Sequence, residues 1–179
     1  MRIRSCRRDY RLFKRGFDYY KEGDYSEATV SLDQAVQLTQ EMKGGSLESL
    51  LPGPLAGWSA KDARSDMSGA AFGAGISAER TLTKEPGSVT IEIVADSPML
   101  QGVVMMLTNP MFARADGGKS TKIGDQRGEI KYDPVTKSGD VQIVVANRSL
   151  VTTRGDQVAN DDLVSDAQAI KRDKIAALL

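Results

Sequence analysis

Apolar residues recur at helical spacing near the start of the chain. Tyr10, Phe13, Phe17 and Tyr20 are separated by three or four residues. This spacing places their side chains along one side of a helix. The pattern therefore predicts a helix over residues 5–22.

A second helix is predicted directly after the first. Asp24 or Ser26 can cap its N-terminus, because a short polar side chain accepts a hydrogen bond from the first helical turn. The apolar pattern continues to about Lys43. Gly44 and Gly45 then form the natural stop, since glycine favours the position that follows a helix.

Beyond these helices the pattern changes to short segments with the period of a β-strand. The run Pro52-Gly53-Pro54 breaks the chain, so we place a boundary there between a unit of residues 1–51 and a unit of residues 52–179. Apolar and polar residues alternate most clearly in Ser88–Val94, as is typical of a strand with one buried face. Strands are predicted over residues 61–68, 75–83, 88–95, 119–123, 126–132, 139–146 and 148–154.

Two helices accompany these strands. Ser97 and Pro98 begin a helix that continues through Thr108, and Asn160 caps a last helix with acidic residues in its first turn. Consecutive strands joined by short turns imply an antiparallel sheet. The predicted fold class is α+β: an antiparallel sheet of about six or seven strands flanked by helices, preceded by an N-terminal helical hairpin.

The N-terminal hairpin resembles a single tetratricopeptide-type repeat. Gly16 and Tyr19 stand on its first helix, and Ala28, Leu32 and Ala35 stand on its second, in the order of that repeat. Arrays of such repeats bind proteins, but one unit cannot bury its own apolar face. The resemblance implies association with the rest of the chain or with a partner protein. The predicted partner-binding residues are aromatic: Phe13, Phe17, Tyr20 and Tyr25.

The second unit resembles the PsbP-like fold, an antiparallel sheet flanked by helices. The matching features are the segment Pro54–Trp58, the run of strands, the central helix and the C-terminal helix. From about residue 20 onward the chain also resembles a family of exported bacterial proteins to which no activity is assigned, through Val89–Gly102 and Asn109–Phe112. This resemblance implies export to the periplasm. Together with the hairpin, it leads us to expect a non-catalytic accessory or scaffold protein in a bacterial envelope assembly.

The composition argues against most kinds of catalysis. The 179 residues include no histidine and one cysteine, Cys6. A Ser-His-Asp relay, a disulfide within the chain and a thiolate metal cluster are therefore excluded. We accordingly predict no enzymatic activity, no cofactor and no metal.

The distribution of charge and the hydropathy of the chain limit the classes of partner that it can bind. Residues 1–22 carry eight basic and three acidic side chains, although the whole chain has no net charge. A solvated helix end explains this better than nucleic-acid binding, and the chain lacks the ~20 apolar residues of a membrane span. No apolar core follows the basic start, so no signal peptide is visible, and a cytoplasmic location is the alternative. The predicted partner is a protein, with a homo-oligomer as one form of it.

Methionines are concentrated around the central helix. They predict core packing or a groove for a small ligand, and less readily a Cu(I) site. A small-ligand-binding protein, with its pocket between the sheet and this helix, is therefore the alternative function. The possible groove residues are Met99, Met105, Met106, Met111 and Phe112.

Other motifs have structural explanations that we favour. Ala113–Ser120 fits a loose phosphate-loop pattern, with Lys119 and Ser120 as its chemical residues, which makes a nucleotide-binding enzyme the second alternative. Trp58 is the expected structural anchor between hairpin and sheet. Two further sets have weak support: a carboxylate pair, Glu92 and Glu129, and a calcium site at Asp161, Asp162 and Asp166. We assign the first set to the solvent face and the second to helix capping and solvation.

Overall fold

A computed structural model describes residues 2–66, 75–108, 118–124 and 126–178, and for residues 2–9 and 107–108 it describes the helical backbone alone. The chain divides into two compact units, Met1–Lys43 and Gly44–Leu179. The first unit is a helical hairpin, and the second is an antiparallel sheet with helices on both faces. The predicted α+β class is thereby confirmed.

The hairpin consists of α1 (Arg2–Glu22) and α2 (Tyr25–Glu48). Gly23 makes the turn with a φ of 81°, which glycine adopts without steric cost. Asp24 Oδ1 then accepts a hydrogen bond from the Glu27 N–H at 3.1 Å. Of the two cap candidates in the sequence, Asp24 is therefore the one that caps α2.

The predicted helix stop at Gly44-Gly45 is wrong, because α2 continues to Glu48. Its last turn is held by Leu47, which is fully buried in the core of the sheet unit. Gly44 serves close packing, since a Cβ atom on it would lie 3.1 Å from the Ser65 Cβ. The packing of Leu47 thus outweighs the low helix propensity of the two glycines.

The chain that follows α2 is fastened to the sheet unit. Leu51 and Trp58 are buried in its core, 4% and 8% exposed respectively. Arg80 donates hydrogen bonds through Nη1 to the carbonyl oxygens of Leu51 and Pro52, at 3.4 and 3.0 Å. The Pro/Gly-rich segment is therefore an ordered part of the sheet unit.

Over the described residues the sheet has eight strands, and each of the pairings between them is antiparallel. The order is β1-β3-β4-β8-β7-β6-β5, and β2 pairs with β3 beside β1. Of the strand predicted over residues 61–68, Arg64–Asp66 form β2 and residues 61–63 are not in a strand, while residues 67–68 lie outside the described residues. The short strand β1 precedes this segment. The strand bounds are β1 (Ser59–Ala60), β2 (Arg64–Asp66), β3 (Ile76–Lys84), β4 (Gly87–Ala95), β5 (Lys119–Ile123), β6 (Gln126–Asp133), β7 (Ser138–Val145) and β8 (Ser149–Asp156).

One face of the sheet, here the main face, carries the large core. The predicted inward set of β4 is confirmed: Val89, Ile91 and Ile93 are fully buried on this face. The last helical segment, predicted as one helix, is two: α4 (Asn160–Gln168) and α5 (Arg172–Leu178). Both pack on the main face, and their buried side chains include Leu163, Ala167 and Ile175.

The opposite face carries a smaller apolar cluster under the central helix. This helix, α3 (Leu100–Thr108), packs through Leu100, Val103 and Val104. The sheet supplies Val94 and Leu150 on the central strands and Val144 on β7. The rest of this face is mostly polar, because the strands alternate with a period of two.

Replacing Gly45 with alanine tests whether α2 passes through the glycine pair. Nothing lies within 4 Å of a Cβ atom at this position, so Gly45→Ala should raise the free energy of unfolding by roughly 0.5–1 kcal/mol. Denaturant unfolding followed by circular dichroism measures the change. Gly44→Ala is the matched control and should gain less or destabilise, because of Ser65. A loss of stability in Gly45→Ala would mean that Gly45 ends the helix.

Candidate interaction surface

Five aromatic side chains form an exposed surface on the hairpin, here called the aromatic stripe. Phe13 is 45% exposed, Phe17 56% and Tyr20 59%. These three lie on one side of α1, since an α-helix turns by about 100° per residue. The complete stripe is Tyr10, Phe13, Phe17, Tyr20 and Tyr25.

Small residues in the hairpin explain why the stripe is exposed. Over residues 10–43, the buried positions are Gly16 on α1 and Ala28, Ser31 and Ala35 on α2. A Cβ atom on Gly16 would lie 2.8 Å from Leu32 Cγ, so the two helices approach closely at this point. No large apolar side chain of these residues is buried. The hairpin thus holds together through small side chains and leaves its aromatic rings outside.

Two contacts fix the rings of the stripe. Tyr20 and Tyr25 meet edge to face, with ring centroids 5.7 Å apart and an interplanar angle of 62°. The Lys21 Nζ lies 4.4 Å from the centroid of the Phe17 ring. Such contacts restrict side-chain freedom before a partner binds, which reduces the entropy cost of binding.

Basic side chains border the stripe. Lys14 donates a hydrogen bond to Asp18 at 2.9 Å, and this bond raises the pKa of Lys14 above its ordinary value. Lys21, which lies over the Phe17 ring, is a second basic residue on this border, whereas Arg15 stacks over the Tyr19 ring on the far side of α1. The stripe therefore combines an apolar centre with a cationic margin. Sequence periodicity finds all four α1 members, yet Tyr10 was left out of the predicted partner-binding set.

The predicted methionine groove is only partly within the described residues, because Met111 and Phe112 lie outside them. Met99, Met105 and Met106 are 57%, 73% and 50% exposed. The described contacts of α3 with the sheet are made by Leu100, Val103 and Val104 instead. Met105 and Met106 therefore lie on the outer side of α3, and Met99 is exposed directly before the helix.

Trp58 is an anchor of the sheet unit. Its side chain is 8% exposed and belongs to the main core. The Lys84 Nζ lies 5.6 Å from the centroid of its ring. A contact of Trp58 with the hairpin stays a prediction.

Glu92 and Glu129 do not form a pair, and the predicted solvent-face position of Glu129 is wrong, because its side chain is buried. They lie on β4 and β6, and β8 and β7 separate those strands, which corresponds to about 14 Å. Glu92 faces Glu79 on β3 instead. Burial, and then the Glu79 charge, raise the pKa of Glu92, while Arg154 opposes the shift. Among the described residues, no three His, Cys, Asp or Glu side chains are grouped as a metal site requires.

The first turn of α4 differs from the prediction. Asn160 is the first helical residue, and Ala159 occupies the cap position without a side-chain hydrogen bond. Asp162 pairs with Lys84, with Oδ2 and Nζ 3.7 Å apart. Asp161 is exposed in the first turn, where a negative charge favours the helix dipole.

Asp166 is a buried carboxylate, which sequence reasoning had assigned to capping and solvation. Its side chain is fully buried, and neither oxygen accepts a hydrogen bond from the residues that the structure describes. Burial, with a smaller contribution from Asp162, raises the pKa of Asp166 from 3.8 to about 6, and Lys84 opposes the shift. A sequence signal for this burial exists, because Asp166 follows Leu163 by three residues and this spacing places both on one side of α4.

The loose phosphate-loop pattern falls on a strand. Lys119 and Ser120 are the first two residues of β5, whereas the phosphate-loop mechanism requires them at the start of a helix. Residues 113–117 of the pattern lie outside the described residues.

Comparisons with protein-family models, with curated proteins and with solved structures returned no match to this chain. The resemblance to the PsbP-like fold and to exported bacterial proteins stays a prediction. In the part of the chain that the structure describes, no helix has the length and apolar character needed to cross a membrane.

The raised pKa of Asp166 should make the free energy of unfolding fall as pH rises. The folded carboxyl holds its proton up to about pH 6 and the ordinary group only to 3.8, so the Asp166 contribution to stability falls as pH rises between these values. Relative to Asp166→Asn, the wild-type free energy of unfolding should fall by on the order of 3 kcal/mol across this range.

Denaturant unfolding of both proteins at a series of pH values measures this difference. Lys84→Gln is a second variant, and it should move the transition to higher pH because Lys84 favours the charged form of Asp166. A difference between wild type and Asp166→Asn that is independent of pH would contradict this account.

Proposed function

We propose that this chain is a non-catalytic accessory protein whose hairpin binds a partner protein through the aromatic stripe. The observation that carries the proposal is the exposure of five aromatic side chains on one hairpin, from 45% to 66%. Interfaces are enriched in aromatic residues and arginine, and large exposed apolar patches mark interaction sites. The absence of histidine from the sequence also favours a role without catalysis.

The size of the stripe suits a substantial part of one interface. Each aromatic side chain can bury roughly 150–250 Å², and about half of that is exposed here. Five rings thus offer about 500 Å². A standard interface buries about 800 Å² on each partner, so the stripe would form its centre.

Charge and geometry define the partner. Residues 1–22 carry eight basic and three acidic side chains, so a partner with acidic side chains around an apolar strip is complementary. The spacing of the α1 rings, three or four residues apart, matches the anchors that helices present to each other. We therefore infer a partner that presents an amphipathic helix with acidic margins. The resemblance to exported bacterial proteins makes a periplasmic envelope assembly the setting in which we would look for it.

Substitution of Phe17 by aspartate should release the partner. The substitution removes the central ring and places a carboxylate where the partner is expected to be apolar and acidic, and loss of a central aromatic anchor typically weakens binding by about 2 kcal/mol or more. The measurement is the mass and composition of the natively purified particle, by light scattering and mass spectrometry. Wild type should form a defined complex that Phe17→Asp does not form.

Arg11→Asp is the matched control. Arg11 is exposed on α1 but lies outside the stripe, so it receives the same new side chain without loss of a ring. Arg11→Asp should still purify with most of the partner. Any loss of affinity in this variant is electrostatic, so it should become smaller as the salt concentration rises. A wild-type protein that is monomeric and free of partners would overturn the proposal, and so would equal loss in both variants. A particle that contains only this chain would identify the partner as a second copy.

A further inference from the structure

The sheet unit contains a cleft that is independent of the hairpin. It has a volume of about 500 Å³, within the ~300–1,000 Å³ range of small-molecule sites. It opens on the main face of β5 and β6, beside the start of α4. α4 packs on β7, β8 and β4. The cleft lies at the Lys119 end of β5, where Lys119 is exposed, whereas Ile123 at the other end of this strand is buried in the main core.

An apolar wall forms one side of the cleft. Ile130 and Tyr132 lie two residues apart on β6 and therefore face the same side of the sheet, and Pro134 extends the wall. The Tyr132 hydroxyl donates a hydrogen bond to the Val158 carbonyl oxygen at 2.8 Å. This bond fixes the tyrosine ring in place, so its face is available to a ligand without reorganisation.

Polar groups lie on the other sides. Lys119 is the direct cross-strand neighbour of Ile130, which places a cation beside the apolar wall. Thr121 follows on the same face of β5, and Asn160 stands at the start of α4. Among the described lining residues there is one cation and no carboxylate.

We propose that this cleft binds a small amphipathic carboxylate, with its carboxylate group on Lys119 and Asn160 and its apolar body against Tyr132 and Ile130. The Lys119 cation favours an anionic ligand, because a charge-assisted hydrogen bond is about twice as strong as a neutral one. The fixed ring and the aliphatic side chain select an aromatic or short aliphatic body. This site differs from the predicted pocket between the sheet and α3, since it lies on the other face of the sheet.

The test uses 3-phenylpropionate as the probe and the ¹⁵N-labelled full chain as the receptor. Titration followed by NMR should give saturable shifts of the Thr121, Ile130 and Tyr132 amide signals, with a Kd on the order of 1 mM for a ligand of this size. Lys119→Gln should weaken binding by about tenfold. The neutral analogue 3-phenylpropionamide should bind wild type more weakly by a similar factor.

Lys122→Gln is the matched control for charge. Lys122 lies on β5 between Thr121 and Ile123 and so points to the opposite face, but its substitution changes the net charge equally. Its Kd should change by less than about twofold. Equal weakening by the two lysine variants, equal binding of acid and amide, or no shifts around the cleft would each overturn the proposal. The result is independent of the hairpin, whose signals should not move.

Discussion

The alternation of side chains along β4 and β8 is the constraint on which the sheet unit depends. These two central strands pair along their whole length, and a shift of one residue would turn every buried side chain to the other face. Ile91 faces Thr153 and Ile93 faces Val151 in the main core, while Glu92 faces Thr152 on the opposite side. Helices α4 and α5 can cover one face and α3 part of the other only because this register keeps the two sets of side chains apart.

The two units differ in where their large apolar side chains lie: they are buried in the sheet unit and exposed on the hairpin. In the sheet unit, large side chains such as Leu82 and Leu163 are fully buried, and truncation of one such leucine typically costs 2–5 kcal/mol. In the hairpin, the buried positions over residues 10–43 are glycine, alanine and serine, and the aromatic rings lie outside. The hairpin therefore gains little stability from its own interior and exposes the side chains best suited to an interface.

Local pattern was sufficient to predict most of the fold. Alternation identified β4 and its inward face, and Asp24 was correctly among the candidates for the cap of α2. The errors came where distant contacts outweigh local preference. Gly44 and Gly45 predict the end of α2, but the helix continues past them because Leu47 is buried in the core and Gly44 packs against Ser65. The pattern predicts one strand over residues 61–68, but of its described residues Arg64–Asp66 alone form a strand, which pairs with β3.

The candidate sites were less predictable than the fold. Helical spacing placed Phe13, Phe17 and Tyr20 on one side, but their exposure depends on the small residues that face each other in the hairpin. The cleft could not be foreseen, because Lys119 and Tyr132 come together only through the pairing of β5 with β6. Asp166 was misjudged for a related reason: its burial depends on the sheet beneath α4.

The broken edge formed by β1 and β2 has a consequence for how this protein can associate. A long, regular edge strand is a template on which another chain can add a strand of its own. Here β1 has two residues and β2 three, all of them exposed, and the second carries the charged side chains of Arg64 and Asp66. Such an interrupted, charged border offers few consecutive backbone groups for pairing. It protects this side of the sheet from uncontrolled polymerisation and leaves selective contacts to side chains.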